Sequence, residues 1–168
     1  MKWAIIVLIM LSLIGSMMWV MPTPRQRFQS KLRLDARMLG FQVQLSRLEI
    51  PRAKGEMESE VINMPAYRML RGKLDRSAKD QWNEWVVARV DAMAADGLPE
   101  GWSWSKGERT LSAAKLSVLV DWLKQLPKEV VAVESTAIHL TLYWREPEHA
   151  GALDELGEKA NQLLAEMI

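Results

Sequence analysis

The chain opens on an apolar block and then changes character. Residues 3–21 (WAIIVLIMLSLIGSMMWVM) carry no charge. A helix of that length, at about 1.5 Å per residue, approaches a hydrocarbon core of roughly 30 Å. Trp3 and Trp19 lie near its ends, where indole rings favour the headgroup boundary. Only Lys2 precedes the block and no small-residue cleavage site follows it. The run therefore predicts an uncleaved transmembrane anchor and not a signal peptide.

Beyond it the periodicity is that of a folded domain. Thr23 offers a capping hydroxyl and Pro24 suits the first position of a helix, which Gly40 would end. Phe28, Leu32, Leu34, Met38 and Leu39 lie along that segment among basic residues. Residues 41–45 (FQVQL) alternate as a half-buried strand does. Residues 51–60 read as a polar loop. Residues 66–70 and 82–90 read as strands, the latter also open to a short helix starting near Ser77. The Gly- and Pro-containing stretch 96–107 reads as a loop.

The second half is plainer. Thr110 can cap a helix to Gln125, with Leu116, Leu119, Val120, Leu123 and Leu126 on one face and Pro127 as its stop. Residues 130–134 and 137–144 form two strands around a Ser135-Thr136 turn. Ile138, Leu140, Leu142 and Trp144 point one way, and His139, Thr141 and Tyr143 the other. Pro147 opens a final helix with Leu153, Leu156, Ala160, Leu163, Leu164 and Met167 on one face.

These elements predict an α+β fold. It consists of an N-terminal transmembrane helix and then a mostly antiparallel sheet with helices packed on one face, in the order α-βββ-α-ββ-α. The organisation is an anchor at 1–21, a basic juxtamembrane helix at 22–40 and one domain at 41–168. After the anchor is set aside, the length suffices for one domain and not two.

Charge sharpens the picture. The formal net charge is +1. Residues 22–54 hold eight Lys/Arg and two acids, 8 − 2 = +6, and residues 55–168 hold thirteen and nineteen, 13 − 19 = −6. Basic residues crowd the C-terminal side of the apolar block. The positive-inside rule then predicts an N-terminus outside and the domain in the cytoplasm, at a bacterial inner membrane. Arg25, Arg27, Lys31, Arg33 and Arg37 are the candidate membrane-surface residues, each gaining roughly 1 kcal/mol near anionic lipid.

Candidate chemistry is sparse. There is no cysteine, which excludes disulfides, thiolate metal sites and a cysteine nucleophile. No G-x-S-x-G turn, metal spacing or Gly-rich phosphate loop occurs, so no catalytic residue, metal or cofactor is predicted. The two histidines are His139 and His149. His139 shares a strand face with Thr141 and Tyr143, with Glu134 available across the hairpin. Arg68, Arg71, Lys73, Arg76 and Lys79 form a second basic cluster without the aromatic signature of a nucleic-acid fold. Six tryptophans fall outside the apolar block. Trp102 and Trp104, in the expected loop, are the candidate partner-binding pair.

The segment 21–45 (MPTPRQRFQSKLRLDARMLGFQVQL) resembles, by its anchor, Pro-Arg-Gln-Arg step, basic helix ending in Leu-Gly and following strand, a group of small uncharacterised proteobacterial inner-membrane proteins. Some are loosely labelled YajC-like, after the accessory subunit of the preprotein translocase. The resemblance implies topology and no site residue. The functional expectation is a membrane-tethered, non-enzymatic interaction module, an accessory or assembly subunit of an inner-membrane complex. Its expected partners are membrane lipids and another inner-membrane protein. The alternative is a peripheral domain binding anionic lipid or nucleic acid through its basic segments.

Overall fold

The computed structural model describes residues 2–20, 22–72, 74–149 and 151–168, with the side chains of the first helix described as far as Ser16. The elements run α1(Lys2–Val20), α2(Pro24–Met38), β1(Phe41–Ile50), β2(Glu60–Leu70), α3(Arg76–Asp80), β3(Trp85–Ala88), β4(Ser103–Lys106), α4(Ala113–Lys124), β5(Val130–Ser135), β6(His139–Trp144) and α5(Ala152–Ala165). The chain divides into two compact units, Met1–Leu32 and Arg33–Ile168.

In the first unit the described side chains of α1 are exposed, from Trp3 through Ile14 among the large apolar ones. One expectation is corrected here. Among the described residues no helix is long and apolar enough to cross a membrane. The transmembrane part of the expected fold does not stand. The single-pass inner-membrane address and the cytoplasmic placement of the domain rested on it and do not stand either. The start of α2 is as the sequence predicts. Thr23 N donates to Gln26 Oε1 at 2.8 Å and Gln26 N donates to Thr23 Oγ1 at 3.3 Å, a reciprocal capping box.

The second unit is α+β, with a six-stranded sheet in the order β1-β2-β6-β5-β3-β4. Every neighbouring pair is antiparallel. One face carries the main core: Tyr67, Leu140, Leu142, Trp144, Trp85 and Val87 are all within 1% of complete burial. Leu119, Trp122 and Leu123 of α4 and Leu156, Ala160 and Leu163 of α5 are buried with them. Trp122 Nε1 donates to the Lys159 carbonyl at 2.9 Å and ties the two helices together.

Four details differ from the pattern reading. Ser112, and not Thr110, caps α4, its Oγ accepting from Lys115 N at 3.4 Å, while the Thr110 hydroxyl is spent on the Gly107 carbonyl at 2.7 Å. The last helix begins at Ala152, past Pro147. Ile138 lies in the turn and is 60% exposed, because β6 starts at His139. Residues 103–106, expected in a loop, form the edge strand β4 because they pair with β3.

The β1–β2 hairpin is longer than the strands beside it. The β2–β6 ladder starts at Ala66, next to Pro65, which has no N–H to give. Residues 60–64 therefore overhang. The overhang curls until the two edges of the sheet meet. Ser105 Oγ on β4 donates to the Glu49 carbonyl on β1 at 3.1 Å, Lys54 N donates to the Asp91 carbonyl at 2.9 Å, and Ala53 bridges Ala92. Inside the curl lies a second apolar cluster of Leu48, Met64, Ala66, Ala88, Val131, Ala132 and Tyr143. Alanines on β2, β5 and β3 leave room for the close approach.

Candidate functional site

The curl closes one end of the sheet face opposite the helices; the rest of that face is polar. Strand register places Gln42, Arg68, Thr141, Glu134, Val86 and Lys106 in one line across all six strands. Alternation makes this possible. On β1, β2, β6, β5 and β3 the positions flanking each of these belong to the buried face, so those five share the other one; on β4 a register shift at Ser105 sets Lys106 opposite Val86.

The line is held by neighbours on the same face. With its carboxamide oxygen turned toward β2, Gln44 accepts from the Arg68 guanidinium, at 2.9 Å from Nη2. Tyr143 donates its hydroxyl to Glu134 Oε2 at 3.2 Å. Lys106 Nζ lies 2.7 Å from Glu84 Oε2. His139 Nδ1 is 3.2 Å from both Thr136 Oγ1 and Thr141 Oγ1. Burial pushes the His139 imidazolium below its ordinary value, and the Arg68 charge lowers it further against Glu134. Burial pushes Tyr143 up, and Glu134 adds to it. His139 thus lies between two hydroxyls in surroundings that disfavour its charged form. The face offers fixed donors and acceptors of both charges.

Of the groups singled out in the sequence, His139, Thr141, Tyr143 and Glu134 are brought together here. Trp102 and Trp104 are not a surface pair: they are 3% and 4% exposed. Trp104 stacks edge-on against Trp85 at 6.5 Å and donates its Nε1–H to the Asp96 carbonyl, and the Arg89 guanidinium covers Trp102 at 4.6 Å. The expectation of exposed partner-binding rings is corrected by that packing, since rings of this area stabilise most when buried.

The five basic candidates of α2 part company. Arg25, Arg27 and Lys31 lie in the first unit, and Arg33 and Arg37 in the second. Arg33 is committed to a carboxylate: its Nε and Nη2 reach Glu146 Oε1 and Oε2 at 2.6 and 2.9 Å. The hydrogen bonds to Glu146 raise the Arg33 pKa above its ordinary value. Glu146 is 2% exposed and also accepts from the Tyr67 hydroxyl at 2.9 Å.

Two members of the second basic cluster, Arg68 and Arg71, are engaged apart from each other. Arg68 faces the open sheet. Arg71 is 9% exposed, donates to the Thr136 carbonyl, Ser135 Oγ and the Ile168 carbonyl, and stacks on Trp82 at 4.1 Å. Burial brings its pKa down to about 10. Lys73 lies outside the described residues. A recess of about 430 Å³ beside Trp82 is lined by polar groups already engaged, Lys115 with the Met167 carbonyl and Asn83 with the Thr110 carbonyl. Among the described residues no group of three acidic or histidine side chains could hold a metal ion.

Sequence reasoning missed the alignment of Arg68, Lys106 and the two glutamines. Alternation at 41–46 signalled a polar face, but the partners depend on register between distant strands. Comparison with family models, curated proteins and solved structures finds no match to this chain, and so nothing that bears on the YajC-like resemblance.

Proposed function

We propose that the chain is a non-enzymatic interaction module, an accessory or assembly subunit of a larger protein complex, and that it presents the uncovered face of its sheet to a partner protein. The observation that supports this reading is the line Gln42–Arg68–Thr141–Glu134–Val86–Lys106, polar at every strand but β3. It crosses every strand beside the second apolar cluster: Thr141 at its centre is buried beneath its neighbours, Arg68, Glu134 and Val86 are half-buried, and Gln42 and Lys106 at its two ends are exposed. Mixed polar surface with fixed hydrogen-bonding groups gives specificity through charge and donor pattern more than through area. An exposed stacking aromatic is missing from that line, which disfavours nucleic acid as its ligand.

The test exchanges the charges across Thr141. Tagged full-length protein, an Arg68→Glu/Glu134→Arg variant, and a Lys124→Glu control on the solvent side of α4 are compared by affinity capture with matched melting temperatures. A stoichiometric protein kept by the control and lost by the exchange supports the reading. A partner that ignores the exchange, or nucleic acid or lipid recovered in its place, removes it.

A further inference from the structure

Pro65 decides which way the backbone of β1 faces. It stands opposite Leu45 in the β1–β2 ladder. In an antiparallel ladder, opposed residues alternate between pairs that exchange two hydrogen bonds and pairs that exchange none. Proline has no N–H, so Leu45–Pro65 is a pair of the second kind, and the N–H and C=O of Leu45 point away from β2. Phe41, Val43, Arg47 and Glu49 share that parity. The Glu49 carbonyl confirms it, since it accepts from Ser105 Oγ of the opposite edge strand.

The Ser105 contact covers the edge at Glu49. From Phe41 to Arg47 no hydrogen bond among the described residues reaches the outward backbone groups. The register of β1 on β2 is unbroken over ten pairs, without a bulge to twist the edge away. Leu45 beside it is 71% exposed. Long, regular, apolar edges of this kind are templates for another strand, and proteins ordinarily blunt them.

The geometry points to β1 as a docking edge for an extended, acidic segment of a partner protein, added as a seventh strand. This rests on reading the chain as an interaction module and specifies how the partner is held. Main-chain hydrogen bonds to Val43 and Leu45 supply affinity, and side chains on alternate faces supply specificity. On one face the added strand meets Val43, Leu45 and the exposed Arg47. On the other it meets Gln42 and Gln44, with Arg68 bonded behind Gln44. Along the open stretch 41–47 and behind it the charged side chains are Arg47 and Arg68, both positive, while the exposed Glu49 lies past that stretch where Ser105 covers the edge, so the complement alternates apolar and acidic residues. A second copy of β1 is a poorer match because it brings another Arg47 to the same edge.

The probe is a labelled synthetic peptide of alternating valine and glutamate, compared with its valine–lysine counterpart and a backbone N-methylated version. Binding to the full chain is read by fluorescence anisotropy. The acidic peptide should bind, more weakly as salt rises. Leu45→Pro, which removes an outward N–H and leaves the β1–β2 ladder intact, should weaken it by about tenfold or more. The lysine and N-methylated peptides should not bind. Equal binding of either control, no binding of the acidic peptide, or a doubling of mass in sedimentation that Leu45→Pro abolishes, overturns the proposal. If Leu45→Pro fails to fold, the N-methylated probe decides. A captured partner that is lost on the Arg68/Glu134 exchange but survives Leu45→Pro leaves the face reading standing and removes the edge.

Discussion

Arg33 and Glu146 meet in a bidentate ion pair although 113 residues separate them. Glu146 is buried and held at a positive φ of 52°, a conformation that a non-glycine residue adopts only when its surroundings over-determine it. Tyr67 completes the ring of donors, and burial together with Glu146 pushes its phenol well above the ordinary range. The pair pins the second half of α2 to the end of β6.

Breaking that pair from one side should cost more than removing it altogether. Arg33→Met leaves a buried carboxylate with one neutral donor. It should lower stability by about 3 kcal/mol, less than for a fully buried pair because Arg33 is itself 43% exposed on its side chain. Arg33→Met/Glu146→Gln should recover part of the loss. Urea midpoints of the two variants and wild type check this, and equal loss in single and double variants would refute it.

Leu123 should be indispensable. It is 1% exposed in the core between α4 and the sheet. Leu123→Asp buries an unpaired carboxylate, at several kcal/mol against a total stability of roughly 5–15. Circular dichroism should show an unfolded second unit at ambient temperature. A cooperative transition near the wild-type temperature would contradict the packing described.

Gly107 closes β4 against the start of β3. It has φ +82°, and a Cβ there would lie 2.6 Å from the Glu84 carbonyl oxygen and 2.8 Å from Trp85 Cβ. Gly107→Ala therefore combines backbone strain with a clash against main chain that cannot swing away. It should cost about 2–4 kcal/mol. Gly101→Ala, also at positive φ but with open space around it, should cost less, and the difference in melting temperature measures the clash.

His139 should make stability depend on pH. Its folded-state pKa lies below the ordinary 6.5, so the folded chain resists a proton that the unfolded chain accepts. Stability is then full above about 6.5 and declines as the pH falls from there toward the folded value. His139→Gln should flatten that part of the profile. Melting temperatures of both proteins from pH 8 to pH 5 decide the matter, and parallel curves would exclude the histidine as the cause.

Much of the second unit was legible in the sequence because its signals are local. Alternation marked β1 and β6, the 3.6-residue stripe marked α4 and α5, and Thr23, Pro24 and Gln26 wrote their own capping box. The sharing of a face by His139, Thr141 and Tyr143 followed from strand geometry alone. Tertiary structure decided what depends on partners far along the chain. Residues 103–106 carry too short a pattern to announce a strand, and they become β4 only because β3 offers a ladder. Trp102 and Trp104 sit among polar and glycine residues that read as a surface loop, yet Trp85 and Arg89 bury them. Arg33 reads as one charge in a basic run until Glu146 claims it. The register that lines Arg68 up with Glu134, and the turn of Pro65 that leaves the edge of β1 open, exist only once the strands have paired. Local sequence sets the period of an element, but which element lies beside it is settled by burial and hydrogen bonding across the whole fold.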